Sequence, residues 1–256
     1  MSLTLSVIVL GSGSPIPYED RAQSGFLLKF GDKPVLVDCG SGVLRRLGEL
    51  GDELGLQAIN DIFITHHHLD HMADLLPLLK ARWLLGRRET NLYGPEGTKA
   101  LLDQLLKLYP YLDEALRVNV LELDEEARLE LGGLEVTALR TVHHIPNLAY
   151  KFAEGVVISG DTEPFPRMGE FAAGCRLVIH ECSFPEGFTI PGHSTPRSLG
   201  EALAGRGIAA LVLVHLYPPA IERSDELVEN LREAGFRGRV VLARDLDRFQ
   251  VELRRG

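Results

Sequence analysis

Long apolar runs and paired cysteines are both missing from this 256-residue sequence. No uninterrupted apolar stretch approaches the roughly 20 residues that a membrane-spanning helix needs. The three cysteines, Cys39, Cys175 and Cys182, form no C-x-x-C pair, and an odd count without close spacing argues against a disulfide framework. These absences argue against a helical membrane protein and a disulfide-stapled domain, and they favour a reducing compartment.

A recognisable targeting signal is also missing. The apolar segment Leu3–Leu10 has no basic residue before it, since the first Lys or Arg is Arg21. It leads into Gly11-Ser12-Gly13-Ser14-Pro15 and not into a small-residue cleavage site. We interpret the segment as a buried first strand and expect a cytoplasmic protein without membrane contact.

The charge balance is acidic, with 27 Lys and Arg against 36 Asp and Glu and a net charge of −9. Such a chain is not a general nucleic-acid-binding protein, because polyanion affinity rests on clustered basic charge. Apolar residues make up 45% of the sequence and are spread throughout it, which excludes disorder as the main state. Length and patterning predict a single domain over residues 1–256.

Short runs rich in Val, Ile and Leu alternate with helical patterns, and this predicts an α/β domain in which helices cover sheets. The predicted strands are Leu3–Leu10, Ser24–Phe30, Pro34–Asp38, Asp61–Thr65, Asn91–Tyr93, Val118–Leu123, Leu134–Leu139, Leu148–Phe152, Val156–Ser159, Leu177–His180, Ala210–Val214, Arg239–Leu242 and Asp247–Leu253. The predicted helices are Val43–Leu50, Ala73–Leu85, Thr98–Leu108, Pro196–Ala204, with Thr195 as its N-cap, and Asp225–Ala234, with Ser224 as its N-cap. Periodicity does not fix the strand order.

Each of the nine histidines lies at the end of a predicted strand or in the loop that follows it. The densest cluster is Thr65-His66-His67-His68-Leu69-Asp70-His71, between a strand and a helix. Neutral imidazoles with a carboxylate are a ligand set for zinc, and iron and manganese are alternatives. Four candidate ligands within six residues predict two metal ions. The alternatives are a solvated loop whose histidines cap strands, and a purely structural zinc site.

This H-x-H-x-D-H pattern resembles the signature of the metallo-β-lactamase superfamily. Later stretches are similar to that family in the same order: Val37-Asp38-Cys39-Gly40, Thr141-Val142-His143-His144, Ser159-Gly160-Asp161-Thr162 and Leu213-Val214-His215-Leu216. The resemblance implies a four-layer αββα sandwich, with two mixed β-sheets packed face to face and helices outside. It also implies a hydrolase that acts through a hydroxide bridging two metal ions.

The resemblance further implies which residues hold the two divalent ions, for which zinc is favoured over manganese and iron. His66, His68 and His143 would hold one ion, Asp70, His71 and His215 the other, and Asp161 would bridge them. Asp38 would orient a ligand imidazole, the alternative being an acid that caps the turn at Gly40. In similar families the third histidine lies seven residues before a tyrosine. Tyr150 therefore selects His143 over His144, and His67 is expected to have no metal role.

Two more stretches resemble the tRNase Z-like branch of the superfamily, which includes small phosphodiesterases and arylsulfatase-like hydrolases. They are His180-Glu181-Cys182-Ser183-Phe184 and Gly192-His193-Ser194-Thr195. The resemblance implies that His193 contacts the scissile phosphate and that Glu181 steadies it, and these two residues with Asp70 are the catalytic candidates. The amino end of the helix at Pro196 would also favour an anion. The alternative is a capping histidine beside a helix start.

The resemblance to tRNase Z breaks down at one place. There a long arm that grips tRNA lies between the third histidine ligand and the bridging aspartate, whereas His143 and Asp161 are only 18 positions apart. We therefore expect a small-molecule or short nucleotide phosphodiester as substrate, and no large structured RNA. The alternatives are arylsulfatase-like, lactone or ester hydrolysis, tRNA 3′ processing, and a non-enzymatic metal-binding protein.

Other functional classes fit less well. Gly11-x-Gly13 has Ile16 where a dinucleotide loop needs a third glycine, and no G-x-S-x-G elbow exists. Di-iron redox relatives carry glutamate at the position of His68, and class B β-lactamases lack the loop of His193.

Two further features of the sequence allow alternative interpretations. Arg82, Arg87 and Arg88 would either contact a nucleotide backbone or form a solvated basic helix end. The segment Ala73–Leu85 would either form a homodimer face or be buried within the fold.

Overall fold

The strands assemble into two seven-stranded β-sheets in a computed structural model that describes residues 3–51 and 55–253. The strands of the first sheet are β1 (Leu3–Gly11), β2 (Gly25–Phe30), β3 (Lys33–Val37), β4 (Asp61–Phe63), β5 (Glu89–Gly94), β6 (Arg117–Glu122) and β14 (Arg248–Leu253). The strands of the second are β7 (Arg128–Glu130), β8 (Glu135–Arg140), β9 (Leu148–Phe152), β10 (Val156–Ile158), β11 (Leu177–Glu181), β12 (Ala210–Val214) and β13 (Arg239–Leu242).

The two sheets share one plan. The first runs β14-β1-β2-β3-β4-β5-β6 and the second β13-β12-β11-β10-β9-β8-β7. In each sheet four strands pair antiparallel, and three more strands extend that ribbon in parallel. Parallel strands align their carboxyl ends, so loops from several strands meet at one edge of the sandwich.

The helices cover the outer faces of both sheets. Those on the first sheet are α1 (Val43–Glu49), α2 (Leu69–Met72), α3 (Leu75–Leu84), α4 (Thr98–Leu108) and α5 (Pro110–Ala115). Those on the second are α6 (Pro166–Phe171), α7 (Pro196–Leu203), α8 (Pro218–Glu222) and α9 (Ser224–Glu233). Within the described part of the chain, no helix combines the length and apolar character of a membrane-crossing segment.

Three apolar clusters hold these layers together. One lies between the sheets and joins side chains such as Phe26 and Phe63 to Tyr150 and Phe152. The other two lie between each sheet and its helices. Burial of apolar surface on both faces of each sheet explains why the central strands are almost uninterrupted apolar runs. The four-layer αββα sandwich is confirmed. The single domain over residues 1–256 stays a prediction, and the core shared by both sheets supports it.

All thirteen predicted strands correspond to strands of the structure. All five predicted helices are present, Thr98–Leu108 with its predicted ends and the other four with ends shifted by one or two residues. Strand β7 was not predicted, because three residues carry too little alternation. Helices α2, α5, α6 and α8 were also not predicted, since four to six residues make no periodic pattern. Three of them begin with proline, a signal for a first helical position that could have identified them.

The helix ends confirm one predicted cap and correct another. Thr195 is the N-cap of α7 and forms a capping box with Ser198. Ser224 is the first residue of α9 and not its cap, which is Arg223. Pro77 lies in the first turn of α3, where its missing N–H leaves no hydrogen bond unmade.

Arg82 contradicts the prediction of a solvated helix end. Its side chain is fully buried, and its guanidinium donates hydrogen bonds to the carbonyl of Ile59, to Oδ1 of Asn60 at 3.0 Å and to the carbonyl of Glu89 at 3.0 Å. Burial lowers the pKa of Arg82 to about 10, so the group keeps its charge at neutral pH. Arg82 therefore ties α3 to the amino ends of β4 and β5, which places it away from the loops at their carboxyl ends.

We expect Arg82→Met to lower the free energy of unfolding by about 2–4 kcal/mol, because three acceptors, one of them the carbonyl of buried Ile59, lose a charged donor. Chemical denaturation followed by circular dichroism measures this change. The control is Arg88→Met at an exposed position of the following loop, where a change within about 0.5 kcal/mol is expected. Equal stability of the two variants would contradict the structural role of Arg82.

Candidate metal centre

The loops at one edge of the sandwich bring seven predicted ligands together. His66, His68, Asp70 and His71 follow β4, and Asp70 and His71 lie on α2. His143 follows β8, Asp161 follows β10 and His215 follows β12. The donor atoms fall into two groups, in each of which all atoms lie within 4.8 Å of one another. The first group is His66, His68, His143 and Asp161, and the second is Asp70, His71, Asp161 and His215.

In the first group three imidazole rings direct nitrogen atoms at one another. Nδ1 of His68 lies 3.0 Å from Nε2 of His66 and 3.2 Å from Nε2 of His143. Burial lowers the pKa of all three rings, so they are neutral at pH 7. Nδ1 of His143 donates to the carbonyl of Gly192 at 2.9 Å, which leaves its Nε2 as a lone pair facing the group. Converging lone pairs of this kind suit a shared cation.

The second group combines two imidazoles with two carboxylates. Nε2 of His215 lies 3.0 Å from Oδ2 of Asp70 and 3.3 Å from Oδ2 of Asp161. Nε2 of His71 lies 3.4 Å from Oδ1 of Asp161 and 3.5 Å from Oδ2 of Asp70. All four residues are buried. Burial would raise the pKa of Asp70, but the hydrogen bond from His215 and the charges of His71 and His215 together lower it, so this carboxylate stays ionised.

Asp161 belongs to both groups and is only 2% exposed. Its Oδ1 and the Nε2 of His71 are buried side-chain atoms without a hydrogen-bond partner. Burial alone would raise the pKa of Asp161, but His215 and His71 hold it well below its usual range. A buried polar atom without a hydrogen-bond partner destabilises the fold, and here two such atoms face each other. A bound ligand would remove this cost. The site therefore fits a dinuclear metal centre with Asp161 between the ions.

Asp38 fixes the orientation of His71 from behind. Its Oδ2 accepts a hydrogen bond from Nδ1 of His71 at 2.7 Å, and its Oδ1 accepts one from the backbone N–H of Thr65 at 2.8 Å. Ser24 donates to the same carboxylate at 3.0 Å. A proton held on Nδ1 leaves Nε2 of His71 free to act as a ligand. Asp38 therefore contacts the candidate ligand His71 and the metal loop (residues 65–71), a wider role than a cap for the turn at Gly40.

Two residues of the centre have backbone angles that L-residues rarely adopt. Asp38 has a φ of 59° and His215 a φ of 56°, both in the left-handed region. Such conformations cost about 1–3 kcal/mol each and persist where the surroundings fix them. Both residues directly follow strands, β3 and β12, and both contact the cluster, since Asp38 bonds to His71 and His215 lies 3.0 Å from Asp70.

The structure separates the neighbouring histidines. His144 is exposed, and its Nε2 bonds to the carbonyl of Pro191 at 2.9 Å, away from both groups. His67 bonds through Nε2 to Oγ1 of Thr98 at 2.8 Å and attaches the metal loop to α4. Of the adjacent pair at 143 and 144, the ring of His143 is the one that joins the cluster.

His193 lies beside the second group and is held by Glu181. Its Nδ1 is 3.4 Å from Oε1 of Glu181 and 3.2 Å from Oγ of Ser183. Burial would lower the pKa of His193, but Glu181 outweighs it and raises the pKa. Glu181 itself is 1% exposed and also accepts hydrogen bonds from the backbone N–H groups of Thr162 at 3.2 Å and Ser194 at 2.8 Å. The arrangement favours an imidazolium facing the centre.

Sequence reasoning assigned no role to Ser183, although it lies in the quoted His180–Phe184 stretch. Its hydroxyl donates to Oε2 of Glu181 at 2.7 Å and lies 3.0 Å from Nδ1 of His215. Ser183 therefore connects a candidate ligand, His215, with the Glu181–His193 pair. A serine two residues after a glutamate is a weak signal in the sequence. Its second contact, His215, follows a different strand and is brought close only by the fold.

The amino end of α7 is not open to an anion, contrary to the prediction. The N–H of Arg197 donates to Oε1 of Glu186 at 2.8 Å, and Thr195 and Ser198 form the capping box. Pro196 has no N–H to offer. Protein groups thus already satisfy these donors.

Comparison with known proteins agrees with this geometry. Residues 33–216 match the family described as the beta-lactamase superfamily domain. The chain belongs to the beta-lactamase superfamily. It is a metal-dependent hydrolase of that superfamily.

Individual relatives resemble nearly the whole chain. A ribonuclease Z of Mycobacterium marinum is 28% identical over 280 aligned positions, which cover 98% of this chain and 100% of the relative. The metallo-beta-lactamase fold protein YhfI of Bacillus subtilis superposes with a TM-score of 0.82 at 25% identity and covers 97% of this chain and 99% of its own. The short form of human tRNase Z has a TM-score of 0.76 at 24% identity over 95% and 98%.

The adjacent histidines give a matched test of the centre. We expect His143→Ala to lose one metal ion per chain because the first group loses a donor, and His144→Ala to keep two. Metal analysis after dialysis against buffered zinc measures both. Loss of an ion from the His144 variant, or two ions retained by the His143 variant, would contradict the arrangement.

Proposed function

We propose that this hydrolase is a dinuclear phosphodiesterase that acts on a small or flexible phosphodiester. The observation that carries the proposal is the pair of donor groups sharing the buried Asp161, with the Glu181–His193 pair alongside. Hydrolysis of a phosphodiester requires compensation of charge on its non-bridging oxygens and a proton for its leaving oxygen. The donor groups around Asp161 would serve the first requirement, and the Glu181–His193 pair the second.

The seven clustered side chains would hold the two ions, with His66, His68 and His143 on one side and Asp70, His71 and His215 on the other. We propose zinc as the metal, because neutral imidazoles with few carboxylates are its usual ligands. Two bound divalent ions supply hydroxide at neutral pH and offset negative charge on phosphoryl oxygens. Asp38 and Ser183 would fix the ring orientations of His71 and His215, so the cluster needs little rearrangement.

His193 would act as the general acid. Glu181 raises its pKa, so the ring carries a proton above the pH at which a free imidazole loses one. Its Nδ1 faces Glu181 and Ser183, so Nε2 is the nitrogen left to face the substrate. Proton donation to the leaving oxygen matters most when that oxygen is a poor leaving group.

A small substrate is supported by the stretch between His143 and Asp161. Strands β9 and β10 and the loops around them take up these residues, and no arm projects from this described segment. The aligned region of the Mycobacterium marinum relative spans 280 positions, more than the 256 residues of this chain, so that relative contains segments this chain lacks. The name of that relative favours tRNA 3′ processing as the second candidate function.

Two further proposals concern the setting of the enzyme. The three cysteines are buried and unpaired, which supports a reducing, cytoplasmic location. The segment Ala73–Leu85 buries Leu75, Leu78 and Leu79 within the fold but leaves Leu84 69% exposed and Leu85 47% exposed. These exposed leucines support a homodimer, which stays a prediction.

A substrate panel tests the proposed activity. We expect zinc-loaded protein to hydrolyse bis(p-nitrophenyl) phosphate faster than the corresponding phosphomonoester, sulfate, lactone and carboxylic ester. It should not release a clean 3′ trailer from a folded precursor tRNA. Steady-state kinetics and gel analysis measure these outcomes, and chelator-treated protein is the control. Fast cleavage of precursor tRNA with slow turnover of small diesters would establish the second candidate instead.

We expect His193→Ala to keep both metal ions and to reduce kcat by roughly 10²–10⁴-fold on a phosphodiester with an alkyl leaving group, with a smaller effect on KM. The raised pKa means that wild-type activity falls as the pH rises through it, since the acid is then lost. In the variant this basic limb should flatten. A pH–rate profile with metal analysis measures both, and full activity or loss of metal would contradict the role.

A further inference from the structure

Three aromatic rings form a continuous stack beside the metal-ligand cluster. The ring centroids of Tyr217 and Phe184 are 4.5 Å apart with 25° between the planes, and those of Phe184 and Phe188 are 5.6 Å apart with 20°. At the inner end, the centroid of Tyr217 lies 5.6 Å from that of His215. The stack therefore runs outward from a candidate metal ligand.

His193 meets the side of this stack edge-on. Its ring centroid is 5.9 Å from that of Phe184 at 73° and 6.2 Å from that of Tyr217 at 71°. An oxygen that receives a proton from His193 must lie within hydrogen-bond reach of it. A group carried by that oxygen would therefore lie close to the rings of Phe184 and Tyr217.

The outer end of the stack is open. Phe188 is 38% exposed, and Ile190 on the same loop is 41% exposed. The outer face of an exposed aromatic ring is a ready surface for another planar ring. Within the described part of the chain, Phe188 has no aromatic partner other than Phe184.

The absence of basic residues from the surrounding loops also favours a ligand with an uncharged planar ring. The segments that frame the site contain no Lys or Arg: residues 65–75, 141–149, 159–165, 181–195 and 213–222. A polyanion is bound by clustered basic side chains, and these loops offer none. A substrate with one phosphodiester charge and an uncharged planar ring is matched by both the cluster and the stack.

We propose that Tyr217, Phe184 and Phe188 form the leaving-group subsite and bind a planar aromatic ring, either an aryl group or a nucleobase. This inference rests on the proposed phosphodiesterase function. In the reaction the oxygen of one water bonds to phosphorus, and the P–O bond to the ring-bearing group breaks. The leaving oxygen takes the proton of His193, which the proton released from water restores through solvent.

Binding of unreactive esters tests this subsite. Zinc-loaded enzyme would hydrolyse bis(p-nitrophenyl) phosphate in the presence of phenyl, thymidin-5′-yl or cyclohexyl methylphosphonate. All three carry one negative charge, and only the first two carry a planar ring. We expect one or both planar inhibitors to bind about tenfold tighter than the cyclohexyl ester. The tighter of the two identifies the aryl group or the nucleobase as the natural ligand.

Variants of the outermost ring separate stacking from a role in holding the loop. Phe188→Ala and Phe188→Leu should remove the preference for planar inhibitors, and Phe188→Tyr should keep it. The matched control is Ile190→Ala, at a similarly exposed apolar position of the same loop, which should also keep it. Bound zinc should stay unchanged in all four variants, and kcat for the activated diester should stay unchanged in Ile190→Ala. KM for that diester should rise in Phe188→Ala and Phe188→Leu, because its leaving group is itself a planar aryl ring.

Four outcomes would overturn the inference in distinguishable ways. Equal binding of the planar and cyclohexyl inhibitors by an active wild-type enzyme refutes the subsite but not the phosphodiesterase function. A Phe188→Leu variant that still prefers the planar inhibitors has the same meaning. A kcat loss in the Phe188 variants with an unchanged planar preference shows that the stack only anchors the loop of His193. Absence of phosphodiester hydrolysis by the wild type refutes the proposed function and the subsite together.

Discussion

The buried carboxylate of Asp161 is the constraint around which the rest of the site is arranged. A carboxylate that is 2% exposed and has an oxygen without a hydrogen-bond partner requires positive charge nearby. His66, His71 and His215 approach it to within 3.3–3.7 Å, and they come from loops of both sheets. Closing the sandwich therefore brings ring nitrogens from both sheets to one carboxylate, and divalent metal ions would supply the positive charge that it requires.

The scaffold around Asp161 is built to hold orientation. Asp38 fixes the ring of His71, Ser183 contacts His215, and the carbonyl of Gly192 accepts a hydrogen bond from Nδ1 of His143. Backbone strain at Asp38 and His215 works against stability, and the apolar core between the sheets offsets it. Rigid strands thus position the clustered side chains, while the loops beyond them frame the site. The fold is shared across the superfamily, so substrate choice must be argued from those loops.

Much of this could be anticipated from local patterns. The thirteen predicted strands follow from short runs of β-branched and aliphatic residues, and the metal loop follows from four ligand-type residues within six positions after a strand. Short elements were not predicted, because β7 and the helices of four to six residues are too short to show a periodic pattern. Arg82 was misassigned because a basic residue near a helix end is usually solvated, and only packing against Ile59 and Glu89 shows that it is buried.

The sequence by itself determined the element types, the H-x-H-x-D-H loop and the kinds of donor atom available, because these depend on residues close together in the chain. Tertiary structure alone decided that Asp161 serves both donor groups, that Ser183 lies between Glu181 and His215, and that Phe188 extends a ring stack from Tyr217. Those contacts join residues on different strands and loops. Their distances are set by sheet order and by packing of the two sheets, which no local period encodes.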